Sequence, residues 1–256
     1  MTKVVPGTQS FSRSIAVLQV ISNYRSPPTT TDLQASCDLS RPTLYRILAS
    51  LEAEELVTKT SEGCYKPGIR LIGLARRALE DIDIRNLARP ELESLRDRTG
   101  ETVHLAIRSG DEMVYIDKIE SLKVVRMASS IGTRVALHST SVGKSFLSAL
   151  PTADFKALVN RLNLEKITNR TKVTFEALAE QVEKYHRLGY INDDEENEAG
   201  ISCFGAAIIN EKLNPIAAVS ISVPVYRVKT DHDFYAKPLQ ECVATISRAT
   251  GANITK

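Results

Sequence analysis

A chain of 256 residues, 43% hydrophobic and 25% charged, has the balance of an ordinary globular protein and material for one large or two modest cores. Apolar runs such as "IAAVSISV" (216–223) fall short of a membrane span, and the N-terminus lacks the apolar stretch of an export signal, so a cytoplasmic protein is expected. The net charge of +2 is uneven: residues 1–80 carry ten Lys/Arg against seven Asp/Glu, and the remainder 23 against 24. Cys37, Cys64, Cys203 and Cys242 lie far apart, as do His104, His138, His186 and His232. Their spacing supports neither a disulfide framework nor a metal site, and no cofactor is expected.

In chain order, Phe11, Ile15, Leu18 and Ile21 recur at helical spacing and predict a first helix over residues 10–23, which the prolines of "RSPP" end. Thr29 with Asp32 is a capping-box variant that opens a short second helix, "TTDLQASC". Asp38 stands where the following tight turn is expected to need a left-handed residue. Ser40 then caps a third helix, with Pro42 in its first turn. Leu44, Ile47, Leu48 and Leu51 share its inner side. Outward lie Pro42, Thr43, Tyr45, Arg46, Ala49 and Ser50, with Arg41 at the edge and no acid before Glu52. Donors and cations near the start of a helix, small residues further along and no acid are what a major-groove recognition helix requires. Two β-prone runs, "LVTKT" and "CYKP", flank "SEG" as a hairpin, with Lys59 and Lys66 available to phosphate. Residues 1–68 are therefore expected to form a winged helix-turn-helix that binds duplex DNA. Arg41, Thr43, Tyr45, Arg46, Ser50, Lys59 and Lys66 are the contact candidates. The bland alternative is a small helical subdomain with a solvated polar face.

Residues 69–83 predict a linker helix whose stripe of Ile69, Ile72, Leu74/Ala75 and Leu79 suits the pairing of two subunits, since one winged helix alone binds weakly. Leu87, Leu92 and Leu95 mark a further helix that Gly100 ends. From Glu101 the period becomes that of strands. "ETVHLAIRSGDEMVYIDKIE" reads as a hairpin around "SGDE", and "KVVRMAS" as another strand. "IGTRVALHSTSVGKSFLSAL" runs through a loop into a helix, and residues 174–189 form a longer one. "CFGAAIIN" and "PIAAVSISVP" flank a turn as buried strands, and a last helix closes the chain. Residues 84–256 thus predict an α+β domain with an antiparallel sheet.

Three features there could carry chemistry. "TSVGK" offers backbone N–H groups at a helix start, Ser220 and Ser222 share one face of a strand, and Asp193 precedes the strand containing Cys203. Each has an ordinary structural explanation: a satisfied cap, strand hydroxyls, a solvated acidic turn. Ser141-x-x-Lys144 also fits the S-x-x-K nucleophile pattern, but neither SDN nor KTG accompanies it. A serine acyl hydrolase and a protein-interaction module without DNA binding are the alternatives; the reading preferred is a non-enzyme.

The stretches "DLSRPTLYRILASLE", "YKPGIRLIGL", "ARPELESLRDRTGETVHLAI", "VYIDKIES", "IGTRVALHSTSVGKSFLSAL", "GYINDDEENEAGISC" and "IAAVSIS" together resemble an IclR-family transcriptional regulator over almost the whole chain. The resemblance implies a winged helix, a linker helix and a GAF-like effector domain that binds a small metabolite. It also implies dimers on DNA that associate as tetramers. Carried over from the family, the effector site comprises Ser141, Val142, Asp193, Cys203, Ser220 and Ser222, with Ile201 as an apolar wall. Ser141 and Val142 depart from the smaller pair some members carry, and Asp38 and Pro42 differ from the usual Gly and Ser of the recognition motif. Both ends of the chain are similar to the subgroup controlling sugar-acid breakdown. That likeness implies a repressor of a catabolic operon that senses a small carboxylate such as a sugar acid or keto acid.

Overall fold

The computed structural model describes residues 8–74, 83–124 and 127–252, and the chain divides into two units, Met1–Ile82 and Asp83–Lys256. In the first, helices α1 (Gln9–Asn23), α2 (Thr30–Ser36) and α3 (Arg41–Ala53) precede an antiparallel hairpin of β1 (Val57–Lys59) and β2 (Tyr65–Pro67). Leu44, Ile47, Leu48 and Leu51 of α3 close on Val17, Ile21, Leu33, Val57 and Tyr65 to make the core. Both halves of the capping box at α2 are formed: Thr29 Oγ1 accepts from the Asp32 N–H (3.2 Å), and Asp32 Oδ2 accepts from the Thr29 N–H (2.8 Å).

The first helix forms as expected but buries only part of its apolar spacing, and the expectation for Asp38 fails. The inner side of α1 is Val17 and Ile21, with Leu18 half-buried, whereas Phe11 and Ile15 are 68% and 44% exposed. Only the second half of the helix is covered by the core. Asp38 is not left-handed: among the described residues the non-glycines with positive φ are Glu55, Glu195 and Leu213. The Leu39 N–H donates to the Cys37 carbonyl (2.8 Å), so the chain reverses through a three-residue turn that requires no positive φ. The left-handed residue is instead Glu55, at the other end of α3. There the Leu56 N–H reaches back to the Leu51 carbonyl (2.9 Å) and ends the helix in a Schellman-type turn.

Of the expected linker stripe, Ile69, Ile72 and Leu74 are exposed. Ala75 and Leu79 lie outside the described residues.

The second unit opens with α4 (Asp83–Thr99), which buries Ala88, Leu92 and Leu95 while Leu87 stays 39% exposed. Gly100, at φ +72, ends it as anticipated. Six antiparallel strands follow in the order β5-β4-β3-β8-β7-β6. They are β3 (Thr102–Ser109), β4 (Glu112–Ile119), β5 (Arg134–Ala136), β6 (Ile191–Asp194), β7 (Ile201–Ile209) and β8 (Pro215–Pro224). The helices are α5 (Ser141–Ser148), α6 (Thr152–Val159), α7 (Phe175–Leu188) and α8 (Asp233–Ala249). Strand alternation divides the sheet into two apolar faces. Val103, Leu105, Phe204, Val219 and Ile221 lie on the face covered by α4 and α8, where Phe204 stacks on Tyr235. Ala106, Met113 and Ala218 meet Val142, Phe146, Leu147, Phe155 and Leu178 of the other helices on the opposite face. Asp117, fully buried on β4, ties α4 to the sheet: Arg89 Nη1 donates to it at 2.9 Å, and Arg85 lies 3.7 Å away.

The segment expected as the strand "KVVRMAS" is not one where it is described. Lys123, Val124 and Met127 through Ser129 are irregular, and residues 125–126 lie outside the described residues. Lys118 Nζ donates to the carbonyls of Met127 (2.8 Å) and Ser129 (2.7 Å), so these carbonyls are engaged by a side chain rather than a ladder. The strand in this region is β5, which pairs with β4 in a stretch expected to be loop. Helix α6 was not anticipated, although Phe155, Leu158 and Val159, its buried residues, have helical spacing.

At Gly205 on β7, α5 packs directly against the backbone of the sheet. A Cβ there would lie 2.5 Å from the Ser141 carbonyl oxygen and 2.8 Å from Ser145 Oγ. Gly205→Ala should therefore force α5 away from the sheet, at about 1–3 kcal/mol. Gly73→Ala, where nothing lies within 4 Å of the added carbon, should be neutral or stabilising. Differential scanning calorimetry of the two variants checks the contrast.

Candidate functional site

The outward face of α3 is built as its spacing predicted. Arg41, Tyr45, Arg46 and Ser50 are exposed and Thr43 is half-buried. Arg41 places its guanidinium carbon 5.7 Å from the centre of the Tyr45 ring. The Tyr45 hydroxyl is drawn below its ordinary pKa by a hydrogen bond from Arg41 and by that residue's charge, with Thr30 and Lys59 adding to the effect. Tyr45 thus gathers α2, α3 and the hairpin around one polar spot. Ser40 occupies the cap position, but its hydroxyl bonds to Thr43 Oγ1 (2.8 Å) rather than to a backbone N–H. Ser50 Oγ donates to the Arg46 carbonyl (3.0 Å), which leaves its lone pairs outward. The two wing lysines are not together. Lys59 pairs across the ladder with Tyr65 and shares the α3 side, while Lys66 pairs with Thr58 on the opposite face. Of the acids beyond the face, Glu54 is ion-paired with Arg70.

In the second unit a small pocket of about 50 Å³ opens at one end of the sheet, on the α5 side. Four of the seven effector candidates line it: Asp193, Ile201, Cys203 and Ser222. The ladder explains their convergence, because Asp193 pairs with Cys203 and Cys203 with Ser222 across three adjacent strands. Ser220 lies one step deeper on the same face, opposite Gly205 and His104, and is buried away from the pocket. Ser141 and Val142 form the first turn of α5 above Gly205, and the Val142 side chain belongs to the apolar core. Neither lines the pocket. Thr140 caps this turn by accepting from the Gly143 N–H (3.1 Å), and helix geometry gives the N–H groups of Ser141 and Val142 no partner within α5.

Sequence reading missed His104, Tyr115, Ser129, Asn197 and Glu198, which also line the pocket. His104 stacks on Tyr115 with ring centres 4.5 Å apart. Its Nε2 lies 2.6 Å from Ser129 Oγ, and its Nδ1 3.4 Å from Ser222 Oγ, to which the Cys203 thiol donates at 3.3 Å. Burial first, then the charge of Lys118, lowers His104 to about 3, so the ring is neutral. Desolvation likewise pushes the Tyr115 phenol and the Cys203 thiol well up, and both keep their protons. The signal for His104 was present in its alternation with Ala106 along β3, opposite Ser220.

Asp193 is not the solvated turn that its acidic neighbours advertise; it is 2% exposed. Burial raises its carboxyl to about 7, against the pull of Lys144 and of the Glu196 and Asn197 backbone N–H groups. Lys144 itself is buried and ion-paired with Glu196 Oε1 (2.6 Å), which also accepts from Gln181 Nε2 (3.0 Å). The lysine of the S-x-x-K pattern is thus committed to a carboxylate and not placed to take a proton from Ser141. The described residues contain no group of three or more His, Cys, Asp or Glu arranged to hold a metal, and no helix among them is long and apolar enough to cross a membrane.

A winged helix with an acid-free outward face, followed in the same chain by a sheet domain with a small polar pocket, is the plan of a ligand-responsive transcriptional regulator. The comparisons agree. The description "Bacterial transcriptional regulator IclR C-terminal" matches residues 76–248, and "IclR helix-turn-helix domain" matches residues 10–61. The chain is 32% identical over 249 residues to the transcriptional regulator XynR of Escherichia coli K12, covering 96% of this chain and 99% of that one. It is 31% identical over 226 residues to the transcriptional repressor AllR of the same strain, covering 88% and 83%. The crystal structure of Thermotoga maritima IclR superposes with a TM-score of 0.80 at 31% identity, covering 95% of this chain and 99% of that one. The chain belongs to the IclR family; its relatives are regulators, not enzymes.

Because the folded state holds Asp193 at about 7 against an ordinary 3.8, it binds the proton more tightly than the unfolded chain does. The contribution of this group to stability is fully present below the ordinary value and is lost as pH rises through about 7. Asp193→Asn should therefore match wild type in melting temperature at low pH and exceed it increasingly towards pH 8. Thermal melts across that range measure the divergence.

Proposed function

We propose that this protein is a repressor of a catabolic operon that reads its operator with α3 and the hairpin, and that a small carboxylate, a sugar acid or a keto acid, controls its grip. The observation that carries the DNA reading is the α3 face itself. Arg41, Tyr45 and Arg46 stand exposed there with no acid until Glu52. On this reading Arg46 reaches a base edge, while Arg41, Thr43, Tyr45, Ser50, Lys59 and Lys66 fix the register on phosphates. Repression is favoured by the likeness to AllR, which is itself a repressor. The effector reading is supported by the convergence of Asp193, Cys203 and Ser222 on one pocket, with two donor N–H groups at the neighbouring α5 turn. Pairing of two copies is supported by the apolar side chains of Phe11, Ile15, Ile69 and Ile72, left exposed on the DNA-binding unit. The domain limits follow the same reading: winged helix 1–68, linker 69–83, effector domain 84–256. The effector acts by preferring one arrangement of the two winged helices, and it shifts operator affinity only by its differential affinity for the two states.

Arg46→Ala should weaken operator binding by about 1–3 kcal/mol and relax discrimination at one position. Lys59→Ala should weaken all sequences alike and reduce the salt-dependence slope by about one unit. Footprinting and binding at several salt concentrations distinguish these outcomes; an unchanged footprint for Arg46→Ala would mean that another surface reads the DNA. Calorimetric titration with a panel of sugar acids and short oxoacids should give saturable heat for at least one of them. Heat from an aromatic acid alone would displace the effector reading.

A further inference from the structure

The pocket wall poses an electrostatic problem for an acidic ligand. None of the described residues lining it is Lys or Arg, whereas Asp193 and Glu198 both are acids. The charged groups around the pocket come from several elements. Lys118 of β4, whose charge acts on His104, is held by the Met127 and Ser129 carbonyls and lies 3.2 Å from Glu120. Lys144 approaches from α5, but Glu196 Oε1 holds its ammonium at 2.6 Å, so this pair brings no net charge. Glu196 and Glu198 stand on the loop after β6, Cys203 is the ladder partner of Asp193 on β7, and Tyr115 and His104 close the pocket from β4 and β3. Cys203 and Tyr115 keep their protons and His104 is neutral. A carboxylate that entered beside an ionised Asp193 would therefore place two like charges together with no free cation among these groups. Two carboxylates that share a site cannot both remain ionised cheaply, and the proton affinity of one of them rises.

Resting on the reading of this pocket as a site for a small acid, we propose that the ligand's carboxylate enters together with one proton taken from solvent, and that Asp193 carries it and donates a hydrogen bond to the bound acid. The balance is simple: the Asp193 carboxylate gains one proton, its O–H points to the ligand anion, and the total charge of the site is unchanged by binding. Asp193 becomes a specificity-determining residue of a particular kind, selecting anionic ligands by supplying a proton rather than a cation. The backbone N–H groups of Glu196 and Asn197 hold its carboxyl in place for the role. Burial has already lifted this carboxyl to about 7, so near neutral pH the extra proton is readily taken up. A neutral polyol would make the same hydroxyl contacts without taking up a proton.

The test is calorimetry of the full-length protein with pyruvate and with D-gluconate at pH 7.5, run in phosphate and in Tris, whose ionisation enthalpies differ. The expected result is a heat that differs between buffers by the equivalent of most of one proton per site. Affinity should also fall about tenfold per pH unit above neutrality. In Asp193→Asn both the buffer difference and the pH slope should disappear; if that variant does not bind, the wild-type comparison alone decides. Saturable heats that are equal in the two buffers overturn proton coupling while leaving the small-acid pocket standing. If both acids are silent, the buffer comparison passes to whichever sugar acid or short oxoacid of the panel binds, and absence of heat from the whole panel overturns the pocket reading and the proton coupling with it.

Discussion

The buried pair between Lys144 and Glu196 is the contact around which the effector unit is organised. Lys144 belongs to α5, whose first turn rests on Gly205; Glu196 belongs to the loop joining β6 to β7; and Gln181, bonded to the same carboxylate, belongs to α7. One charge pair therefore pins two helices and the loop that carries Asp193, Asn197 and Glu198. Taking both ions out of water costs several kcal/mol each, and their attraction repays this only with good geometry. Removal of one partner would strand the other, a penalty of about 3–5 kcal/mol. Apolar residues could have filled the same volume, so the pair is better understood as fixing where the loop sits than as a source of net stability.

That placement decides the chemistry of the pocket. Since Lys144 is paired behind the wall, the pocket surface consists of hydroxyls, a thiol, an amide, a neutral imidazole, two carboxyls and the apolar side chains of Met127, Ala128 and Ile201. Thr168 and Thr171 reinforce the loop from outside by donating to the carbonyls of Glu195 and Glu196, each at 2.7 Å. Chain reversal within it uses Glu195 at φ +59 and Gly200 at φ +82. The backbone is shaped so that Asp193 faces inwards, although the surrounding "DDEENE" run reads as a solvated turn.

What the sequence made legible follows from the range of the forces involved. The core stripe of α3, the capping box of α2, the glycine stop after α4 and the strands carrying Cys203 and Ser222 are local patterns, and each formed as read. The departures arose where packing, or a hydrogen bond that composition does not announce, decides. Phe11 and Ile15 keep the spacing of a buried stripe, yet only the second half of α1 is covered by the core. Asp38 gave way to a three-residue turn that single-residue propensity does not reveal. The carbonyls of Met127 and Ser129 went to Lys118 rather than to a ladder. Ser220 and Ser222 were legible as a pair on one face. Which of them reaches the pocket depends on Gly205 admitting α5 above the deeper one, and that is a property of packing. His104 was overlooked because its alternation along β3 gives only its face, and the ladder that sets it opposite Ser220 joins strands far apart in the chain.

The protonated Cys203 has a further meaning. A thiol must ionise before it can attack an oxidant or an electrophile, and desolvation keeps this one un-ionised far beyond physiological pH, as it does Cys242, which is pushed up to about 12. The sulfur atom in the pocket wall thus presents a protonated thiol, a weak hydrogen-bond donor and a soft surface rather than a nucleophilic thiolate.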